Sequence, residues 1–336
     1  MTDFGIVTIP THYSLQPAEL GVWAEAQGFE SLWFGEHSHI PTSRKSPFPM
    51  GGELPEFYKQ FFDPFIGLTA AAAVTKKLKV GTSVCLVPEH NTMNLAKMVA
   101  CLDRVANGRF LFGIGAGWNA EEMADHGVEF KDRWKVTRER ILAMKEIWTK
   151  DVAEYHGKFV DFAPLWCWPK PVQAGGPPVL MGAWSKWVPQ RVVEYCDGWF
   201  PVDARVDLAG GIEAIRTEAS RRGQAKDRFD LSVLTAEEMA PRGIETRIGE
   251  LMKFGFNRIL FMISPASPDK QRPVLDADPQ VRLNAHRPSA RRGTVSLCQQ
   301  EPVHRNGKKR WCSSMAPTWS SFGAVRASRC SCCTKN

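Results

Sequence analysis

The 336 residues include 43% apolar and 10% aromatic side chains, enough for a sizeable core, and no apolar run reaches the ~18 residues that a membrane-crossing helix needs. The net charge of +7 is uneven: residues 277–336 hold 11 Lys/Arg against 2 Asp/Glu, leaving 32 against 34 for residues 1–276, so the body lacks the basic surface of a nucleic-acid binder. Five of the nine cysteines (Cys298, Cys312, Cys330, Cys332, Cys333) lie in that C-terminal stretch and the rest stand singly, which argues against a disulfide framework; with no signal-type segment after Met1, the expectation is a soluble cytoplasmic chain.

Strand-like and helix-like segments alternate along the body. Residues 4–9 form an apolar run; Pro17 opens a helix with Leu20, Trp23, Ala24 and Gln27 on one side and Gly28 as its stop. Residues 31–35 are the second strand. Residues 37–63 are rich in Pro and Gly and carry Phe48, Phe57, Tyr58, Phe61 and Phe62, which predicts an aromatic cover over a site. A helix over 64–76 leads to the third strand at 79–86. Leu95, Met98, Val99, Leu102 and Val105 then keep helical spacing until Asn107-Gly108.

The fourth strand, 109–112, runs into three alternate glycines, Gly113, Gly115 and Gly117, and then into the acidic helix start Asn119-Ala120-Glu121-Glu122. Glycine has no Cβ and tolerates positive φ, so such a turn lets backbone N–H groups approach a phosphate or a flat ring. The helix start behind it favours an anion. The spacing is not Gly-x-Gly-x-x-Gly and the position is mid-chain, which argues against an ordinary dinucleotide fold.

A helix over 131–150 follows, with Trp134, Ile141, Met144 and Trp148 on one face, and then an extended, proline-punctuated connection over 151–177. Residues 178–181 are the fifth strand, and Ser185 is read as the cap of a helix carrying Val188, Val192 and Tyr195. Residues 198–200, 230–234 and 258–262 are strands six to eight, with helices marked by Leu208, Ile212 and Ile215 and by Ile244, Ile248, Leu251 and Met252. Eight strands alternating with helices predict an α/β fold, a closed (β/α)8 TIM barrel. Only residues 268–275 could begin the eighth helix. The chain therefore divides into a barrel over 1–276 and a basic, Cys-rich tail over 277–336, read as disordered or frame-shifted sequence rather than a nucleic-acid arm. The Cys-x-Cys-Cys at 330–333 lacks the paired spacing of a zinc site, no His/Asp/Glu trio has metal-ligand spacing, and no metal site is expected.

In such a barrel, chemistry belongs at the C-terminal ends of the strands. Four ends carry suggestive residues: Glu36-His37, Ser83-Val84-Cys85, the turn 113–118, and Gly182-Ala183-Trp184-Ser185. A histidine beside a glutamate at a strand end can transfer or orient a proton near neutral pH, so His37 and Glu36 are the catalytic candidates.

At these residues the chain resembles the luciferase-like monooxygenase superfamily, in particular its coenzyme F420-dependent oxidoreductases. The resemblance runs from the segment 26–33 through Glu36-His37, 80–84, Leu95-Ala96-Lys97, Leu102-Asp103, 107–109, 113–118, 169–173 and Asp197-Gly198-Trp199. It implies a barrel, usually dimeric, that binds a flavin or deazaflavin in its mouth and acts on a small-molecule substrate. It also implies that His37 lies near the reactive ring edge, that Ser83-Val84 forms a strand-three bulge often built with a non-proline cis peptide, and that Gly115, Ala116 and Gly117 with Gly182, Ala183 and Ser185 bracket the cofactor tail. Trp118 stands where the sugar-phosphate dehydrogenase branch has glutamate. Ala116 stands where bacterial luciferases have arginine, which favours F420 over FMN. The expectation is F420-dependent hydride transfer, with a reduced-FMN monooxygenase of alkanesulfonate type, or a cofactor-binding protein without turnover, as alternatives. No specific nucleic acid and no membrane is expected as partner.

Overall fold

Alternate residues of the strands go to two different cores, and this alternation is what closes the sheet. The computed structural model describes residues 2–203, 206–238 and 244–276. Its strands are β1 (Asp3–Thr8), β2 (Ser31–Phe34), β3 (Lys79–Thr82), β4 (Cys85–Leu86), β5 (Phe110–Gly115), β6 (Ala153–His156), β7 (Asp161–Leu165), β8 (Val179–Met181), β9 (Gly198–Trp199), β10 (Asp230–Glu238) and β11 (Arg258–Ile263). Its helices are α1 (Pro17–Ala26), α2 (Pro64–Val74), α3 (Thr92–Val105), α4 (Ala120–Asp125), α5 (Arg133–Thr149), α6 (Val188–Tyr195), α7 (Leu208–Arg221), α8 (Ile244–Lys253) and α9 (Pro268–Asp276). All strands except the antiparallel pair β6–β7 are parallel; β1 pairs with β11 on one side and β2 on the other, and β3 pairs with β5, so the ring is complete.

Val7, Trp33, Leu111, Leu180, Phe200, Leu234 and Leu260 fill the barrel as one cluster. Their strand neighbours Ile6, Leu32, Phe110, Phe112, Val179, Val233 and Ile259 join the larger core that includes the helices. On β3 the barrel-facing position is Gly81, where a Cβ would meet the ring of Trp33; the missing side chain makes room for the fully buried indole. Gly113 is as constrained. A Cβ there would run into the carbonyl oxygen of Thr82, whose hydroxyl donates to the Gly113 carbonyl at 2.7 Å. Gly113→Ala is therefore expected to lower stability by about 1–3 kcal/mol, read as a drop in the urea midpoint. An unchanged midpoint would mean that the two strands separate freely.

The bottom of the barrel is tied by Arg258 at the start of β11. Its Nε and Nη2 donate to Glu30 at 2.8 and 2.9 Å, and its Nη1 donates to both Asp230 oxygens at 3.2 Å and to the Ser232 hydroxyl at 2.7 Å. Lys79 adds a 2.8 Å contact to Glu30. Four strand starts thus share one charge cluster.

The element order follows the sequence expectation, with differences that have local causes. The third strand is not continuous: a cis peptide at Ser83-Val84 divides β3 from β4. The connection over 151–177 is not simply extended but contains the β6–β7 hairpin, docked on α5 by Glu139, whose Oε2 accepts from the N–H groups of Phe159 and Val160 at 2.6 and 3.0 Å. Ser185 is not the cap of α6; the cap position is Trp187, and Ser185 instead accepts from the Trp187 N–H at 3.3 Å in the turn before it. The eighth helix is present as α9. Gln271, 2% exposed, accepts from the Leu15 N–H at 3.1 Å and so fixes α9 to the segment between β1 and α1. Expectations for residues 277–336 lie outside the described residues. Among the described residues no helix is long and apolar enough to cross a membrane.

Candidate active site

His37 lies three residues beyond the end of β2. Its Nδ1 is 2.7 Å from Oε2 of Glu122 on α4, and its Nε2 accepts from the indole N–H of Trp118 at 3.2 Å. Indole nitrogen can only donate, so Nε2 is the unprotonated nitrogen and the ring proton sits on Nδ1, facing Glu122. The other Glu122 oxygen accepts from the Ser38 N–H at 3.1 Å. The His37 side chain is 6% exposed and that of Glu122 fully buried.

The aromatic cover expected over 37–63 packs here. The rings of Tyr58, Phe61 and Trp118 lie 5.5, 5.1 and 5.6 Å from the His37 ring, and Phe48 contacts both Tyr58 and Trp118. Burial pushes the Tyr58 hydroxyl up to about 12, so it acts as a neutral wall. Glu121 clamps the cover to α4 by accepting from the N–H groups of Lys45 and Ser46 at 2.8 and 3.3 Å.

Glu36 does not share this environment, because adjacent residues of an extended segment project to opposite sides. Its Oε2 accepts from the Leu86 N–H at 2.5 Å and its Oε1 meets His90 Nε2 at 2.9 Å. Burial opposes its charge, but the His90 hydrogen bond and charge and the Leu86 N–H outweigh this and hold the carboxyl below its usual range. His90 rises in turn, its own burial overcome by Glu36. Cys85 is pushed well up by burial and by Glu36, so it rests as a thiol. Donor atoms of Glu36, Cys85 and His90 lie within 4.8 Å of one another, a grouping that spacing along the chain could not reveal. His90 and Cys85 are each engaged with Glu36, so the grouping is held by hydrogen bonds. Glu36 braces the β3–β4 break and is not joined to His37.

The cis peptide turns Val84 across two of the glycines. A Cβ on Gly115 or on Gly182 would collide with a Val84 methyl, so this half-buried side chain forms an apolar shelf against bare backbone from two strands. Gly117 has φ +76°, and Ala116 is buried beside it. The Ala183 carbonyl accepts from Trp199 Nε1 at 2.9 Å, and the Ser83 N–H donates to the Phe34 carbonyl at 2.7 Å; both serve the backbone of the mouth. The fold thus joins Val84, Gly115 and Gly182, sets Ala116 and Gly117 beside them, and leaves Ser185 in the next turn. Glu122 was missed as a site residue, its only sequence signal being the acidic Glu121-Glu122 pair one helical turn after the glycines, whereas Trp118 ends the turn 113–118 singled out from the sequence.

Comparison with known proteins identifies the family and the fold. The sequence profile of the luciferase-like monooxygenases matches residues 11–237. An uncharacterized protein of Mycobacterium tuberculosis is 34% identical over 274 residues, covering 79% of this chain and 93% of that protein. The F420-dependent glucose-6-phosphate dehydrogenase of Amycolatopsis mediterranei is 31% identical over 173 residues, 48% of each chain. The FMNH(2)-dependent dimethylsulfone monooxygenase of Pseudomonas putida is 29% identical over 160 residues, 46% of this chain and 44% of that one. Among solved structures, the monooxygenase RslO1 from Streptomyces bottropensis shares the fold at TM-score 0.67 and 18% identity, covering 82% of this chain and 97% of that one. The coenzyme F420 dependent tetrahydromethanopterin reductase from Methanopyrus kandleri does so at TM-score 0.62 and 16% identity, covering 84% and 99%.

Proposed function

The chain belongs to the luciferase-like monooxygenase family, whose members are F420- or flavin-dependent oxidoreductases and monooxygenases, and we propose that this one uses F420 for hydride transfer to or from a small organic substrate bearing a hydroxyl or carbonyl group. A bound deazaflavin supplies a hydride acceptor or donor. The Val84 shelf, with the bare backbone of Gly115 and Gly182 against it, fits a flat ring, and the Gly117 turn ahead of α4 fits its anionic tail.

The observation that carries the reading is the His37–Glu122 pair at 2.7 Å. When a carbon bearing a hydroxyl loses hydride, its O–H proton must leave as well. His37 Nε2 is the atom to take it, in place of the Trp118 N–H, while Glu122 holds Nδ1–H and offsets the positive charge that forms on the ring. In the reverse direction the same nitrogen returns the proton. The aromatic box of Phe48, Tyr58, Phe61 and Trp118 keeps water from this exchange.

Titrating the full chain with F420 and with FMN tests the cofactor. Saturable binding of F420 with much weaker FMN binding is expected, and Gly182→Ala, whose Cβ displaces Val84, should weaken it. Tight FMN binding with none of F420 would instead make the protein a reduced-FMN monooxygenase.

A further inference from the structure

Glu89, in the short 3-10 turn Val87–Glu89 after β4, takes no part in the chemistry above, yet it lies directly beneath the glycine turn: a Cβ on Gly117 would stand 3.2 Å from its Oε1. It is 8% exposed, and neither of its side-chain oxygens has a donor among the described residues. The charged group that acts on it most is another carboxyl, that of Glu122. Two carboxylates cannot bond to each other, and two adjacent buried negative charges without a cation between them are strongly unfavourable. One proton resolves both problems. The Glu122 oxygens already receive the Ser38 N–H and face His37 Nδ1–H, the acceptor pattern of a carboxylate, so the proton belongs to Glu89.

We propose that Glu89 is a neutral carboxylic acid that donates a hydrogen bond to Glu122 and thereby positions the Glu122–His37 pair. This rests on the role of His37 given above. The row runs from Glu89 O–H to Glu122, from Glu122 to His37 Nδ1–H, and ends at Nε2 in the mouth. When Nε2 takes a substrate proton, the N–H bond forms there and the Nδ1–H bond to Glu122 strengthens; no proton leaves Glu89, and its hydrogen bond keeps Glu122 from taking the Nδ1 proton outright.

The surrounding charges agree. Burial raises Glu89 most, Glu122 and Glu36 add to it, and the group is pushed up to about 9. Glu36 and His90 form their own pair, Cys85 is a thiol, Arg140 donates to the Val87 carbonyl at 2.8 Å, and Asp63 acts on Cys85 and His90 as one more negative charge.

Infrared difference spectroscopy of the full chain tests this without any substrate. At pH 7 wild type should show the carbonyl band of a protonated buried carboxyl, which shifts on deuteration, disappears as pH rises through about 9, and is missing in Glu89→Gln. Absence of the band in wild type at pH 7, or its persistence in Glu89→Gln, overturns the proposal; the wild-type titration decides even if the variant does not fold. If the band is present but turnover does not involve His37, the proton state stands and the catalytic reading alone falls. In the active enzyme the alkaline limb of the pH profile near 9 should be lost in Glu89→Gln, and kcat should fall further in Glu89→Ala than in Glu89→Gln. A profile with the same limb in all three proteins would also overturn it.

Discussion

His37→Ala is expected to lower turnover by about 10²-fold or more, because the group that accepts or returns the substrate proton is removed while hydride transfer still requires it. The loss should fall on kcat, since the Val84 shelf and glycine turns that would hold the ring do not depend on the imidazole. Glu122→Gln should cost less but change the pH profile: an amide can still accept the Nδ1–H but carries no charge to stabilise the imidazolium. Trp118→Phe removes the donor that marks Nε2 as the acceptor and should shift the same profile without abolishing activity. Steady-state kinetics across pH, with cofactor affinity measured alongside, separates these cases. A His37→Ala enzyme that turns over at the wild-type rate would move the proton chemistry to another residue.

Arg258→Ala should cost about 3–5 kcal/mol, a large share of the ~5–15 kcal/mol that holds a typical domain together, because it removes the cation that Asp230 pairs with and leaves Glu30 with Lys79 alone. The effect has a predictable pH dependence. Burial raises Glu30, but hydrogen bonds and charge from Arg258 and a hydrogen bond from Lys79 prevail and hold it at about 2, against 4.5 as its ordinary value. A depressed carboxyl contributes stability above its unfolded value and loses it as pH falls through the folded one. The gap in urea midpoint between wild type and Arg258→Ala should therefore be full above pH 4.5 and shrink toward pH 2. A gap independent of pH across that range would show that packing of the Arg258 stem, not its charge, ties the strand starts.

How much of this was legible in the sequence depends on the range of the interaction. Helix ends could be read where their causes are local: Asn107 and Gly108, which stop α3 in the sequence, take positive φ at its end. The β6–β7 hairpin was not readable, since Pro164 interrupts its alternation and its anchor, Glu139, lies on a preceding helix. Ser185 misled for a related reason. A serine ahead of an apolar stripe suggests a cap, but Pro189 and the turn at Trp187 start α6 two residues later.

The site divides along the same line. Period, turn residues and the three alternate glycines specify eight strands, their order and the end of the barrel that carries chemistry, because each is a property of a few neighbouring residues. The pairing of His37 with Glu122 across 85 positions, of Arg258 with Glu30 across 228, and the packing of Glu89 under Gly117 arise only when the ring closes. Closure brings the ends of separate strands together in a buried environment. There a carboxyl must find a donor, a cation or a proton of its own, and which of these each one finds depends on neighbours that no local pattern encodes.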